Sequence, residues 1–207
     1  MRASAPLWSL CLAALLWTPT PLHADTFTVT KTADTDDGVC DADCSIREAV
    51  NAANALIGLD TVFVPEGLYT LTIPGANEDA GATGDYDVTD FLIVQGVGDG
   101  LTILDGDAID RLFDVQPEVS LDLRDLTLRN GKGQGVEGGC VRAAGDLLFA
   151  RILLLDCASS GLGGGAYVLN VTFEAEDSEF RGNTAFGSGG GFAADVGANV
   201  LLRGVRL

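Results

Sequence analysis

Histidine, tryptophan and methionine are nearly missing from this sequence: 1 His, 2 Trp and 1 Met occur in 207 residues. All four fall before residue 25, as His23, Trp8, Trp17 and Met1. Arg2 there precedes an apolar run from Leu7 to Trp17 and a Leu22-His23-Ala24 site. This is signal-peptide anatomy, so a leader is expected over 1–24 and a mature chain from Asp25. The run is too short to span a bilayer, and no second apolar stretch of spanning length follows. Cys11 lacks the small preceding residues of a lipid-acceptor cysteine. Past the leader the chain has no imidazole, which excludes Ser-His-Asp and Cys-His catalysis and any His-ligated zinc site. It also lacks the largest aromatic platform for stacking on a ligand, although 3 Tyr and 9 Phe remain.

Basic charge is scarce as well. With Arg2 in the leader, 12 basic residues become 11 against 30 acidic ones, a formal charge of 11 − 30 = −19. Such a surface repels nucleic acid and anionic lipid, and outside a cell it attracts cations, Ca²⁺ above all. Nucleic acid is therefore excluded as a partner. No Pro- or Ser-rich linker interrupts the mature length, so one continuous body is expected.

What the sequence does have is a repeat. The segments LRDLTLRN (123–130), FARILLLD (149–156), AEDSEFRG (175–182) and LRGVRL (202–207) resemble one another. Leu128, Leu154, Phe180 and Leu207 follow at steps of 26, 26 and 27. Glycines keep a step of 26, as Gly138, Gly164 and Gly190 and then Gly139, Gly165 and Gly191, and the next position holds Cys140, Ala166 and Phe192. Short alternating apolar runs such as Leu121, Leu123, Leu126 and Leu128 have strand character, and Gly-rich turns divide them. A unit this small cannot bury its own apolar face, so the copies are expected to stack as a solenoid, one coil per repeat. Each strand then pairs with its equivalent roughly 4.8 Å away. The competing architecture, an antiparallel sandwich, does not require a fixed period. Looser coils are expected over 61–118 and clear repeats from about 119 to 207.

The stretch before the coils differs. Ser45 and Glu48 form a capping box, and Ile46, Ala49, Val50 and Ala53 make one apolar stripe at helical spacing. A short amphipathic helix is expected over 45–55, within a cap spanning 25–60, as a lid over the open end of the first coil. Cys40 and Cys44 flank three residues in a chain expected in an oxidising compartment, where a disulfide between them would fix the approach to the helix. The alternative is two free thiols. Cys140 and Cys157 occupy different repeat positions, and their pairing stays open.

The stretch DTDDGVCDADCSIREAVNAAN (34–54) resembles the N-terminal signature of the CSLREA-domain proteins, with Ile46 where the name has Leu. EDAGATGDYDVTDFLIVQG, TILDGDAIDRLFDV and VSLDLRDLTLRNG resemble the segments that follow in that family. FRGNTAFGSGGGF (180–192) is similar to the F-x-x-N-x-A…G-G repeat of polymorphic outer-membrane proteins. The resemblance covers 27–207. It implies an all-β fold, a right-handed parallel β-helix solenoid of the pectin-lyase-like kind with a short N-terminal capping α-helix, in secreted or surface-anchored bacterial proteins. It carries over no catalytic residue, and fold analogy alone does not assign an activity.

Candidate chemistry is confined to carboxylates and arginines. Asp34, Asp36, Asp37, Asp41 and Asp43, with Gly38 for a turn, offer clustered oxygens of the kind Ca²⁺ takes. Their spacing is not that of an EF-hand, and the plainer reading is a solvated loop whose carboxylates bond nearby backbone and the helix start. Glu78, Asp79, Asp85, Asp87 and Asp90 make a second acidic patch in an insert-like loop. A lyase would set a cation beside a basic residue, for which Arg111, Arg124, Arg129, Arg142 or Arg151 could be named; each also reads as a solvated coil-face residue. The Asn170-Val171-Thr172 triplet carries little weight. The expected function is an exported, non-enzymatic adhesion or interaction module for a surface glycan or protein, needing no cofactor. Its rival is a Ca²⁺-dependent enzyme on acidic polysaccharide. Because Leu207 falls in the opening strand of a fourth copy, the sequence also reads as the N-terminal part of a longer protein. Should it end there, the uncovered last coil would self-associate.

Overall fold

The computed structural model describes residues 23–75, 78–133 and 137–207. The expected leader lies outside the described residues except for His23 and Ala24, and Cys11 lies outside with it.

Along 121–128 the leucines alternate with one interruption, between Leu123 and Leu126. Because strand side chains alternate faces, that interruption would turn the second pair outward in a flat strand. A bend corrects it. Asp125 takes a left-handed backbone at φ 54°, and so do Arg151 at 57° and Asp177 at 47°, one coil apart each. Leu121, Leu123, Leu126 and Leu128 therefore all stay fully buried, each contributing on the order of 1.5–3 kcal/mol. Further left-handed residues, Asn130 and Asp156, turn the chain out of the strand one coil apart.

Repetition of this unit builds a parallel β-solenoid. Among the described residues every strand pairing is parallel, each strand bonding its equivalent in the neighbouring coil. A 10-stranded sheet runs the length of the body, from Thr26–Thr28 through Ser120–Arg129 and Asp146–Leu155 to Asn199–Arg203. A 5-stranded sheet runs from Tyr86–Val88 to Phe192–Ala194, and a 3-stranded one joins Lys132–Gly133, Ala158–Ser159 and Thr184–Ala185. Like side chains stack in columns through the core. Leu121, Leu147 and Phe173 form one column, and Leu128, Leu154 and Phe180 another. Phe149, Phe173, Phe180 and Phe192 pack ring against ring where the columns meet.

The glycine register needs a correction. Val141, not Cys140, lies beside Ala166, which in turn lies beside Phe192. Cys140 instead donates its N–H to Gly165, so the glycines that match in space are Gly139, Gly164 and Gly190. The stretch between the long sheet and the 5-stranded sheet is one residue longer in the first clear copy, from Arg129 to Val141, than from Leu155 to Ala166. A turn absorbs such an insertion without shifting the strands, which is why the leucine column keeps its step. Among the described residues there are two disulfides, Cys40–Cys44 and Cys140–Cys157, the second tying consecutive coils together.

The one helix among the described residues, Ile46–Asn54, starts at Ser45, whose Oγ takes the Glu48 N–H while the Glu48 carboxylate takes the Ser45 N–H. Ile46, Ala49, Val50 and Ala53 are buried against the core, and the helix packs on Thr26–Thr28, Asp60–Phe63 and Tyr86–Val88. Tyr86–Val88 is the edge of the 5-stranded sheet, and Asn54 covers that edge. Its Nδ2 donates to Asp87 O at 2.8 Å and its Oδ1 accepts from Thr89 N–H at 2.9 Å. One carboxamide thus takes the two bonds that a residue of a further parallel strand would take. No helix among the described residues is long and apolar enough to cross a membrane.

Candidate functional site

The five aspartates of the cap loop take separate partners. Asp34 is buried and faces inward, its Oδ1 accepting from Arg47 Nε at 2.9 Å and its Oδ2 from the N–H groups of Thr72 and Ile73. Asp36 accepts from Gly38 N–H and Asn51 Nδ2, Asp37 from Val39 N–H, and Asp41 from Asp43 N–H. Asp43 lies 3.4 Å from Lys31 Nζ. Among the described residues no three His, Cys, Asp or Glu side chains are grouped to hold a metal ion. Asp36, Asp37 and Asp41 each bond a backbone N–H two residues on, which shapes the loop that leads to the helix. Glu48 sits behind it, fully buried. Burial opposes its ionisation, but bonds from Ser45 N–H, Lys31 and Asp37 N–H outweigh that and hold its pKa below the ordinary range.

The second acidic patch divides. Glu78 stays within its loop, taking the N–H groups of Ala80 and Thr83. Asp87, on the edge strand, and Asp85, just before it, lie on the outer side of the 5-stranded sheet, where Asp87 is in register beside Asp114 and Asp114 beside Arg142. Arg111 reaches into this group, with Nε 3.2 Å from Asp85 Oδ2 and Nη1 3.1 Å from Asp114 Oδ2. Arg142 Nη1 closes on Asp114 Oδ1 at 2.9 Å. Burial, with Asp110 and Asp87 nearby, pushes the Asp85 pKa up to about 8. Burial likewise raises Asp87 to about 7, against the pull of its bond from Gly81 N–H. Asp110, Arg111 and Asp114 belong to this cluster, although the acidic patch read from the sequence stops at Asp90. The signal was there, in the paired tripeptides Tyr86-Asp87-Val88 and Phe113-Asp114-Val115, each placing an aspartate between two core residues.

A third feature is a trough of about 290 Å³ on the outer face of the long sheet. Asp122, Leu148, Glu174 and Leu201 line one column, and Arg124, Ala150, Glu176 and Arg203 the next. Side chains therefore repeat along it once per coil, at roughly 4.8 Å. Asp122 pairs with Arg124 at 2.5 Å across the two columns. Each of the five arginines named as a lyase's basic residue has an aspartate partner: Arg111 with Asp85 and Asp114, Arg124 with Asp122, Arg129 with Asp105, Arg142 with Asp114 and Arg151 with Asp125.

Fold and surface together define a parallel β-solenoid with a helix-capped first coil and an open charged trough along its longest sheet. Set against known proteins, the chain matches no family model, no curated protein and no solved structure.

Proposed function

We propose that this chain serves as an exported, non-catalytic interaction module, whose right-handed coils present the outer face of the long sheet to a surface glycan or protein. The observation that carries the reading is the trough: a ladder of charged and apolar side chains, one position per coil and open to solvent along its length. Such a surface suits an extended ligand with its own repeat, engaged by many weak contacts. The two disulfides support an oxidising destination. The CSLREA-like signature and the leader read from the sequence point the same way. Pairing of each nominated arginine with an aspartate weighs against the lyase reading, since a general base must be free to take a proton.

The test is a binding screen of the mature chain against immobilised extracellular glycans and surface proteins, repeated with Glu174→Arg and Glu176→Arg together. Binding that falls at least tenfold in the double variant, with the melting temperature unchanged, supports the trough as the ligand face. Ultraviolet absorbance from unsaturated uronate products, rising with polyuronate and Ca²⁺ and lost on chelation, would replace this reading with the enzymatic one.

A further inference from the structure

Residues 78–84 run over the outer side of the 5-stranded sheet and bury almost nothing apolar; their sequence is Glu-Asp-Ala-Gly-Ala-Thr-Gly. They are held by polar bonds. Gly81 N–H donates to Asp87 Oδ2 at 2.7 Å, Arg47 donates to Gly81 O at 2.9 Å and Gly84 O at 2.7 Å, and Gly84 N–H donates to Ile73 O at 2.9 Å. Gln116 Nε2 adds a long bond to Asp79 Oδ1 at 3.3 Å. A segment fastened this way opens at low cost compared with the coils beneath it.

Beneath it the charges do not balance. Asp87 is 1% exposed, and its Oδ1 has no hydrogen-bond partner among the described residues. Asp114 faces it from the neighbouring strand, and Glu78 and Asp79 face it from the segment itself. Asp85, 5% exposed, faces Asp110 and Asp114 besides Asp87. The guanidinium groups present are Arg111, shared among Asp85, Asp110 and Asp114, and Arg142, shared between Asp114 and Glu137. Arg47 also touches the segment, but its charge is matched by Asp34. A carboxylate at Asp87 would have one buried oxygen without a donor and several like charges around it, whereas the neutral acid tolerates both.

We propose that residues 78–84 form a pH-operated strap, held closed over Asp85 and Asp87 while these are neutral and released when they ionise. Release uncovers the Asp87 and Asp114 column on the sheet's outer face. This is independent of the trough and of any ligand bound there.

The direction follows from linkage. Both groups titrate higher in the closed state, at about 8 for Asp85 and about 7 for Asp87, than in water. Closure is therefore strongest below the ordinary aspartate range and is lost progressively as pH rises through these values, above which it changes no further. If Asp87 alone regains its ordinary value on release, the opening constant rises roughly a hundredfold between about pH 5 and pH 8.

Hydrogen exchange of the mature chain, corrected for the intrinsic pH dependence, tests this. Protection of the 81–84 amides should fall roughly a hundredfold between about pH 5 and pH 8, while that of Asp146–Leu155 holds. Asp87→Asn keeps an acceptor for Gly81 N–H but cannot ionise, and should remove at least tenfold of that fall. If Asp87→Asn does not fold, Asp85→Asn carries the same expectation. Strap protection independent of pH in the native chain, or a fall undiminished in the variant, overturns the proposal.

Discussion

Arg47 shows how much one side chain can organise. It is fully buried, and its five N–H groups all find acceptors: the two Asp34 oxygens and the carbonyls of Gly81, Gly84 and Asp85. Its guanidinium also lies 5.0 Å from the centre of the Tyr86 ring. The helix, the cap loop, the strap and the edge strand thus meet at one planar cation, whose fork geometry suits bonds in several directions. Removing it leaves Asp34 as a buried, uncompensated charge. Arg47→Ala should cost about 3–5 kcal/mol, read from urea unfolding, and Arg47→Lys should recover little of it, since an ammonium cannot make the forked bonds. A loss below about 1 kcal/mol would show that the pair is not buried in solution. Nothing in the spacing of the sequence announced this role. Asp34 was legible only as one of five clustered acids, and Arg47 only as part of the capped helix, because an ion pair 13 residues apart is made by the path of the chain between them.

At the scale of elements, the legible parts were those that repeat. Leu128, Leu154 and Phe180 stack as their 26-residue step requires, because a parallel register copies sequence spacing directly into space. The capping box was equally plain, since both of its bonds are local. The glycine spacing misled by one residue, because a turn can lengthen without disturbing the strands it joins. These glycines nonetheless have a structural reason. A Cβ on Gly164 would collide with the carbonyl oxygens of Gly190 and Thr184, so the coils could not approach to hydrogen-bonding distance. Gly164→Ala should therefore destabilise by about 1–3 kcal/mol, measured by thermal melting. Gly100→Ala meets nothing within 4 Å, although φ there is +78°, and should cost only about 1 kcal/mol of backbone strain. Equal losses at the two sites would mean that the coils relax around Gly164. The covering of the sheet edge by Asn54 makes a further expectation. Asn54→Ala should leave Asp87 O and Thr89 N–H unpaired and raise the fraction of dimer seen by sedimentation, as an uncovered edge recruits a second strand.

For the whole molecule, two sets of carboxyl groups pull the pH optimum from opposite sides. Glu48 and Asp105 are buried, yet their bonds hold them below the ordinary range, and Asp125 is held low first by Arg151. Such groups contribute stability that is present above their unfolded pKa and lost as pH falls through the folded one. Asp85 and Asp87 do the reverse, contributing stability that is lost as pH rises toward about 7 to 8. A formal charge of −18 adds self-repulsion on the alkaline side. The melting temperature should accordingly peak between about pH 4 and pH 5 and fall on both sides. Salt separates the causes of the alkaline fall, because surface repulsion is screened at roughly 0.5 M and a buried carboxylate is not. Whatever fall survives high salt should be reduced by Asp85→Asn with Asp87→Asn, which should raise the melting temperature far more at about pH 8 than at about pH 5. An alkaline fall abolished by salt alone would assign it to net charge, and would mean that Asp85 and Asp87 ionise without strain.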